Sequence, residues 1–104
     1  MKIILICGAG ASSGFLMNAM VKAAKSRGID LDIKARSETT LTSFIQDTDF
    51  VLCAPQIRAQ EEKFKDICNN HNVPYAFVDP MDFAMMQGDK VLDFVLKKYE
   101  ESKK

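Results

Sequence analysis

Apolar positions change their period several times along this chain. Residues Lys2–Cys7 read KIILIC, a nearly unbroken aliphatic run of the kind that fills a strand buried on both faces of a parallel sheet. After a stretch of glycine and small residues, Phe15, Leu16, Ala19, Met20, Ala23 and Ala24 recur at helical spacing. They predict a helix over 15–27 with these six residues on its inward face. Ser12 or Ser13 is the expected N-cap, Lys25 and Arg27 suit the negative end of the dipole, and Gly28 suits the stop. Leu31, Ile33 and Ala35 alternate with Asp32 and Lys34, predicting a second strand with one wetter face. A short helical stretch over 39–46 follows. Residues 50–54 (FVLCA) read as a third buried strand, left through a turn at Pro55-Gln56-Ile57. A helix is expected over 60–70 with Phe64, Ile67 and Cys68 inward, then a fourth strand over 75–78 ended by Asp79-Pro80. The last helix is expected over 89–101 with Val91, Leu92, Val95 and Leu96 inward, and Phe83, Met85 and Met86 form an apolar patch before it, expected in the core or alternatively as a partner-docking surface.

Strands alternating with helices of this length imply right-handed crossovers and a parallel sheet covered on both faces. The expected fold is α/β: a small doubly wound three-layer sandwich on a four-stranded, Rossmann-like sheet, one domain over residues 1–104. Sites in such sheets lie beyond the carboxyl ends of the strands. The segments after Cys7, Ala54 and Val78 therefore share one edge, with the third strand beside the first.

Composition removes several function classes. Fourteen Lys+Arg balance fourteen Asp+Glu, so the chain lacks the basic excess that nucleic-acid binding needs, and no nucleic-acid partner is expected. The longest apolar runs are five residues, against about 20 for a membrane span, and are too short for a secretory signal core. A cytoplasmic protein is expected. Cys7, Cys53 and Cys68 have no C-x-x-C spacing, and with the lone His71 they make too few ligands for zinc. Neither a metal site nor a cofactor is expected.

The chemistry concentrates after the first strand. Gly8 and Gly10 permit backbone conformations in which successive amides turn inward as an anion-binding nest, and the helix that follows adds its positive end. Ala9, Ala11, Ser12 and Ser13 complete the loop, the serines as hydroxyl donors. Cys7 stands at its entrance, where a helix N-terminus favours the nucleophilic thiolate. The same amides that favour the thiolate would hold the oxygens of a phosphoryl group on that sulfur. Gly8, Gly10 and Gly14 do not make the G-x-G-x-x-G of a dinucleotide site, and no lysine follows Gly14 as an ATP loop requires. A phosphatase of the C-x5-R type wants an arginine six positions after the cysteine; Ser13 stands there.

The run Cys7-Gly8-Ala9-Gly10-Ala11-Ser12-Ser13-Gly14-Phe15-Leu16 resembles the phosphocysteine loop of the enzyme IIB component of the bacterial sugar phosphotransferase system, lactose/cellobiose (chitobiose) type. Ala54-Pro55-Gln56-Ile57 is similar to the family's second motif after the third strand, and 18–24 looks like its lactose branch. The resemblance spans nearly the whole chain and implies a fold like that of low-molecular-weight tyrosine phosphatases. It implies that Cys7 takes phosphate from a phosphohistidine on a IIA partner and gives it to a sugar held by the membrane IIC component, of the cellobiose, lactose or chitobiose class, without ATP or metal. A monomer is expected, since one edge must meet two partners in turn.

Gln56 is a candidate polar contact near the loop. Asp79 is a candidate general acid or a carboxylate that repels negative charge near the loop, or alternatively the cap of the next helix with Pro80 in its first turn. Cys53 and Cys68 read as core, and His71 as a surface residue. The competing readings are a small phosphatase or arsenate-reductase-like enzyme, and a non-catalytic module that binds a phospho-ligand in the loop with Cys7 inert.

Overall fold

The alternation of strand and helix is present in the computed structural model of the chain, which describes residues 1–7, 13–37 and 41–102. The order is β1 (Lys2–Cys7), α1 (Ser13–Ser26), β2 (Asp32–Ser37), α2 (Leu41–Phe44) running into a 3₁₀ turn (Ile45–Asp47), and β3 (Phe50–Cys53). A 3₁₀ segment (Pro55–Gln60) then leads into α3 (Glu61–Asn70), β4 (Tyr75–Phe77), α4 (Pro80–Ala84) and α5 (Gly88–Ser102). All four strands are parallel, in the order β2-β1-β3-β4.

Strand alternation splits the apolar run of β1 between two cores. Ile3 and Leu5 pack with Phe50 and Leu52 of β3 under Leu16, Met20 and Ala24 of α1 and Val91, Leu92 and Val95 of α5. Ile4 and Ile6 pack with Val51 and Cys53 under Leu41 of α2, Ile45, Ile57 and Phe64 of α3. Each such side chain removed from water contributes about 1.5–3 kcal/mol, which is what holds helices on both faces. The result is the expected three-layer, Rossmann-like α/β sandwich.

Several sequence expectations shift. β2 runs from Asp32 to Ser37 rather than ending at Ala35, because it pairs residue by residue with β1 from Lys2↔Asp32 to Cys7↔Ser37. Phe15 is 69% exposed, so the inward stripe of α1 starts at Leu16. Met85 is 60% exposed, while Phe83 is buried and Met86 half-buried. The expected turn at Pro55-Gln56-Ile57 is the start of the 3₁₀ segment, kinked at Ile57.

Three helices end in the same way. Gly28 (φ 69°) closes α1, its N–H meeting the Lys25 carbonyl at 3.2 Å while Ile29 donates to Ala24 at 2.9 Å. Asn72 (φ 57°) and Met86 (φ 53°) close α3 and α4 with equivalent bonds, Val73 to Cys68 at 2.9 Å and Gln87 to Asp82 at 3.0 Å. Two residues later Gly88 starts α5 hard against α1: a Cβ there would lie 2.5 Å from the Ala19 carbonyl carbon. Arg27 at the end of α1 bonds Asp93 and also Asp89, tying the two helices along their exposed side.

Candidate active site

The carboxyl ends of three strands are aligned by backbone bonds. Cys7 ends β1, with its Cα paired to Ser37 on one flank. On the other flank the Ala54 N–H donates to the Ile6 carbonyl at 2.8 Å, so the chain leaving β3 starts beside Cys7. The Val78 N–H donates to the Cys53 carbonyl at 2.9 Å, which places the exit of β4 next in the row. The segments after Cys7, Ala54 and Val78 thus share one edge, as expected.

The cradle expected over Gly8, Ala9, Gly10, Ala11 and Ser12 lies outside the described residues, and Ser12 as N-cap with it. Its two anchors are described: Cys7 closes β1, and Ser13 opens the 14-residue α1. The first turn of α1 holds no acidic residue, so no carboxylate there opposes an anion at the positive end of the helix. Gly14 is exposed, and a Cβ there would meet nothing within 4 Å.

Gln56 is the second residue of the 3₁₀ segment, on the same edge and one strand away from Cys7. Pro55 begins that segment, and the Ile57 N–H returns to the Ala54 carbonyl at 3.2 Å. Asp79 lies two strands from Cys7, roughly 10 Å at the usual strand spacing. Its Oδ1 accepts the Met81 N–H at 2.8 Å and the Asp82 N–H at 3.3 Å, with Pro80 in the first turn of α4. This is the capping geometry the sequence offered as one of its two roles.

The other candidates separate cleanly. Cys53 and Cys68 are fully buried. Burial, then the neighbouring Cys68 and Glu61, drives the Cys53 thiol far above its ordinary range. Burial pushes the Cys68 thiol up to about 11. Both are protonated core hydrophobes at neutral pH. His71 is exposed at the end of α3, ahead of β4 and so at the opposite edge of the sheet from Cys7. Among the described residues no cluster of three or more His, Cys, Asp or Glu is placed to hold a metal.

Sequence reasoning passed over Arg58. Its guanidinium lies 5.6 Å from the Phe77 ring centroid, above a cleft of about 230 Å³ bordered also by Asp79, Asp82 and Phe94. No spacing rule tied to Cys7 marks it, because it arrives from a different strand. Nor did the helical spacing show that Phe15, Met81 and Met85 stay in solvent on the segments leaving β1 and β4.

Comparison with known proteins points one way. The family profile described as "PTS system, Lactose/Cellobiose specific IIB subunit" matches residues 2–94. The galactose-specific EIIB component of Lactococcus lactis subsp. cremoris (strain MG1363) is 33% identical over 95 residues, covering 86% of this chain and 88% of that one. The lactose-specific EIICB component of Lacticaseibacillus casei is 30% identical over 95 residues, covering 89% of this chain, which spans only 16% of that longer protein. The solution structure of the cellobiose-specific phosphotransferase IIB component protein from Borrelia burgdorferi superposes with a TM-score of 0.82 at 33% identity, covering 98% of this chain and 94% of that one.

Proposed function

Because the chain belongs to the lactose/cellobiose-specific IIB family of the sugar phosphotransferase system, we propose that Cys7 is its phosphoryl carrier. The Cys7 thiolate attacks the phosphorus of a phosphohistidine on a IIA protein; the S–P bond forms as the N–P bond breaks, and the imidazole leaves with the electron pair. A hydroxyl of a sugar held by membrane IIC then attacks the same phosphorus; the O–P bond forms as S–P breaks, the electron pair returns to the sulfur as thiolate, and the hydroxyl proton leaves to solvent. The sugar is of the cellobiose, lactose or chitobiose class. The single observation that carries the reading is the place of Cys7, at the carboxyl end of a strand paired on both sides, one short loop from the positive end of α1.

The loop amides of residues 8–12, with Ser13, serve as the donors that balance charge on the three phosphoryl oxygens. Two features favour a carrier over a phosphatase. Ser13 occupies the position where a hydrolytic loop has its arginine. Asp79, which a phosphatase would use to protonate a leaving group, has an oxygen committed to two amides of α4. The phosphocysteine therefore waits for its acceptor instead of passing phosphate to water. No described helix is long and apolar enough to cross a membrane, and the carrier works as a cytoplasmic monomer that visits each partner in turn. The EIICB name of the Lacticaseibacillus casei relative, in which the matched region is a small part of a longer chain, supports IIC as the acceptor.

The test is phosphorylation with phosphoenolpyruvate, the general carriers and a IIA protein, followed by mass spectrometry. Expected is a gain of one phosphate on Cys7, stable in buffer and discharged by sugar with IIC membranes. A Cys7→Ser protein that takes up phosphate as the parent does overturns the assignment. Rapid hydrolysis of a small phosphate ester by the purified protein supports the phosphatase reading instead.

A further inference from the structure

The sheet ends at β2, and no strand among the described residues pairs with its outer side. The Asp32 N–H donates to the Met1 carbonyl at 2.9 Å, so Asp32, Lys34 and Arg36 turn their backbone groups toward β1. Ile33 and Ala35 between them turn theirs outward, the row of donors and acceptors that recruits another strand. Side chains alternate too. Ile33 is buried in the core under α1, while Asp32 and Lys34 stand exposed on the other face. Neither of those two charges has an ion-pair partner among the described residues.

This edge is complementary to itself. On a second copy laid antiparallel about a twofold axis at Ile33, the two Ile33 residues exchange a pair of backbone bonds. Asp32 then falls opposite the copy's Lys34, and Lys34 opposite the copy's Asp32. The next bonded pair brings the Ala35 carbonyl to the N–H of Leu31, the residue just before β2. Apolar meets apolar and each charge meets its opposite. One side chain stands in the way. Arg36 Nη1 donates to that same Ala35 carbonyl at 3.2 Å, and its guanidinium rests 4.7 Å from the Phe44 ring centroid. Phe44, 42% exposed, gives the cation a seat beside the strand. We infer that Arg36, held on Phe44, guards the β2 edge and keeps this chain from pairing with a second copy of itself. It fills the acceptor the neighbour needs and sets a charged group beside the exposed backbone. The inference needs nothing of the relay, although a carrier that meets its partners singly gains from such a guard.

The test is Arg36→Ala, followed by sedimentation velocity over a wide range of concentration, with thermal melts to check the fold. The parent should stay monomeric. The variant should dimerise with self-association at least roughly tenfold tighter, because each copy frees one carbonyl for a bond across the twofold. Adding Lys34→Asp places like charges opposite each other at Asp32 and should return the variant to monomer. In the Arg36→Ala dimer the Ile33 amide should exchange more slowly than in the parent. If Arg36→Ala melts well below the parent, Phe44→Ala takes its place: the guanidinium loses its seat, and association should rise in the same direction. A replacement variant that stays monomeric overturns the guard. A dimer that survives Lys34→Asp, or that leaves the Ile33 amide exchanging as before, forms through another surface and overturns it as well. A parent already paired through β2 does the same.

Discussion

Replacing Gly88 with alanine puts a methyl group 2.5 Å from the Ala19 carbonyl carbon and oxygen and 2.7 Å from its Cβ. Two of those atoms are helix backbone, so no flexible side-chain tip can swing away, and α1 and α5 must separate by about 1 Å to reach ordinary contact distance. Overpacking of this kind costs about 1–3 kcal/mol. The better helix propensity of alanine offsets at most about 1 kcal/mol of that. A net loss near 1–2 kcal/mol lowers the melting temperature by roughly 4–15 °C in a domain of this size. Gly14→Ala is the matched control: the same methyl meets nothing within 4 Å, and stability should hold or rise slightly. Thermal and urea unfolding of both variants beside the parent decide the matter. If Gly88→Ala melts within a degree of the parent, the close approach of α5 to α1 is not what this structure says it is.

Asp79→Ala should cost about 1 kcal/mol through loss of the α4 cap, and Asp79→Asn much less, since the Asn oxygen can still accept the two amide bonds that Ala loses. Both should still accept phosphate; loss of uptake in the stable Asn variant would show that the carboxylate does more than cap. Iodoacetamide at pH 8 should alkylate Cys7 alone in the folded protein, because Cys53 and Cys68 are buried and Cys68, pushed up to about 11, is only about one part in a thousand thiolate there. The same raised thiol fixes a sign: the unfolded chain loses this proton first, so stability is full below pH 9.0, its ordinary value, and falls as pH rises toward 11. Cys68→Ala should flatten that decline, measured by urea midpoints against pH. Arg27 holds the Asp93 carboxyl below its usual range, so this pair's support is present at neutral pH and lost in acid. Both groups are exposed, and Arg27→Gln should lower the melting temperature less than Gly88→Ala, with its own effect relative to the parent shrinking in high salt.

The strands and long helices were legible because their buried residues carry the period: Ile3–Ile6 of β1 and FVLC of β3 are interior, and α5 repeats Val91, Leu92 and Val95 against one core. The end of β2 was not, since Arg36 and Ser37 look like loop and become strand only by pairing with Ile6 and Cys7. Gly28 announced a helix end, whereas Asn72 and Met86 adopt the same left-handed turn without the residue that signals it. Methionine there bears a steric cost of about 1 kcal/mol that surrounding packing must override. Phe15 failed for a different reason: helical spacing marks a stripe about a hundred degrees wide and cannot say which border residue is left in water. The candidate nucleophile was readable because its chemistry is local, a cysteine before glycines and serines. Arg58 was not, because it reaches the same edge from a different crossover.

The seat of Cys7 on an inner strand bears on how any cargo it takes could travel. Its backbone is locked to β2 alongside, and the residue before it to β3, so the sulfur has no tether on which to swing from giver to receiver. On the relay proposed above, handover comes from the whole globule turning the same rim to each partner. Throughput is then set by encounter and departure, and a partner that grips too firmly slows the traffic as surely as one that grips too weakly.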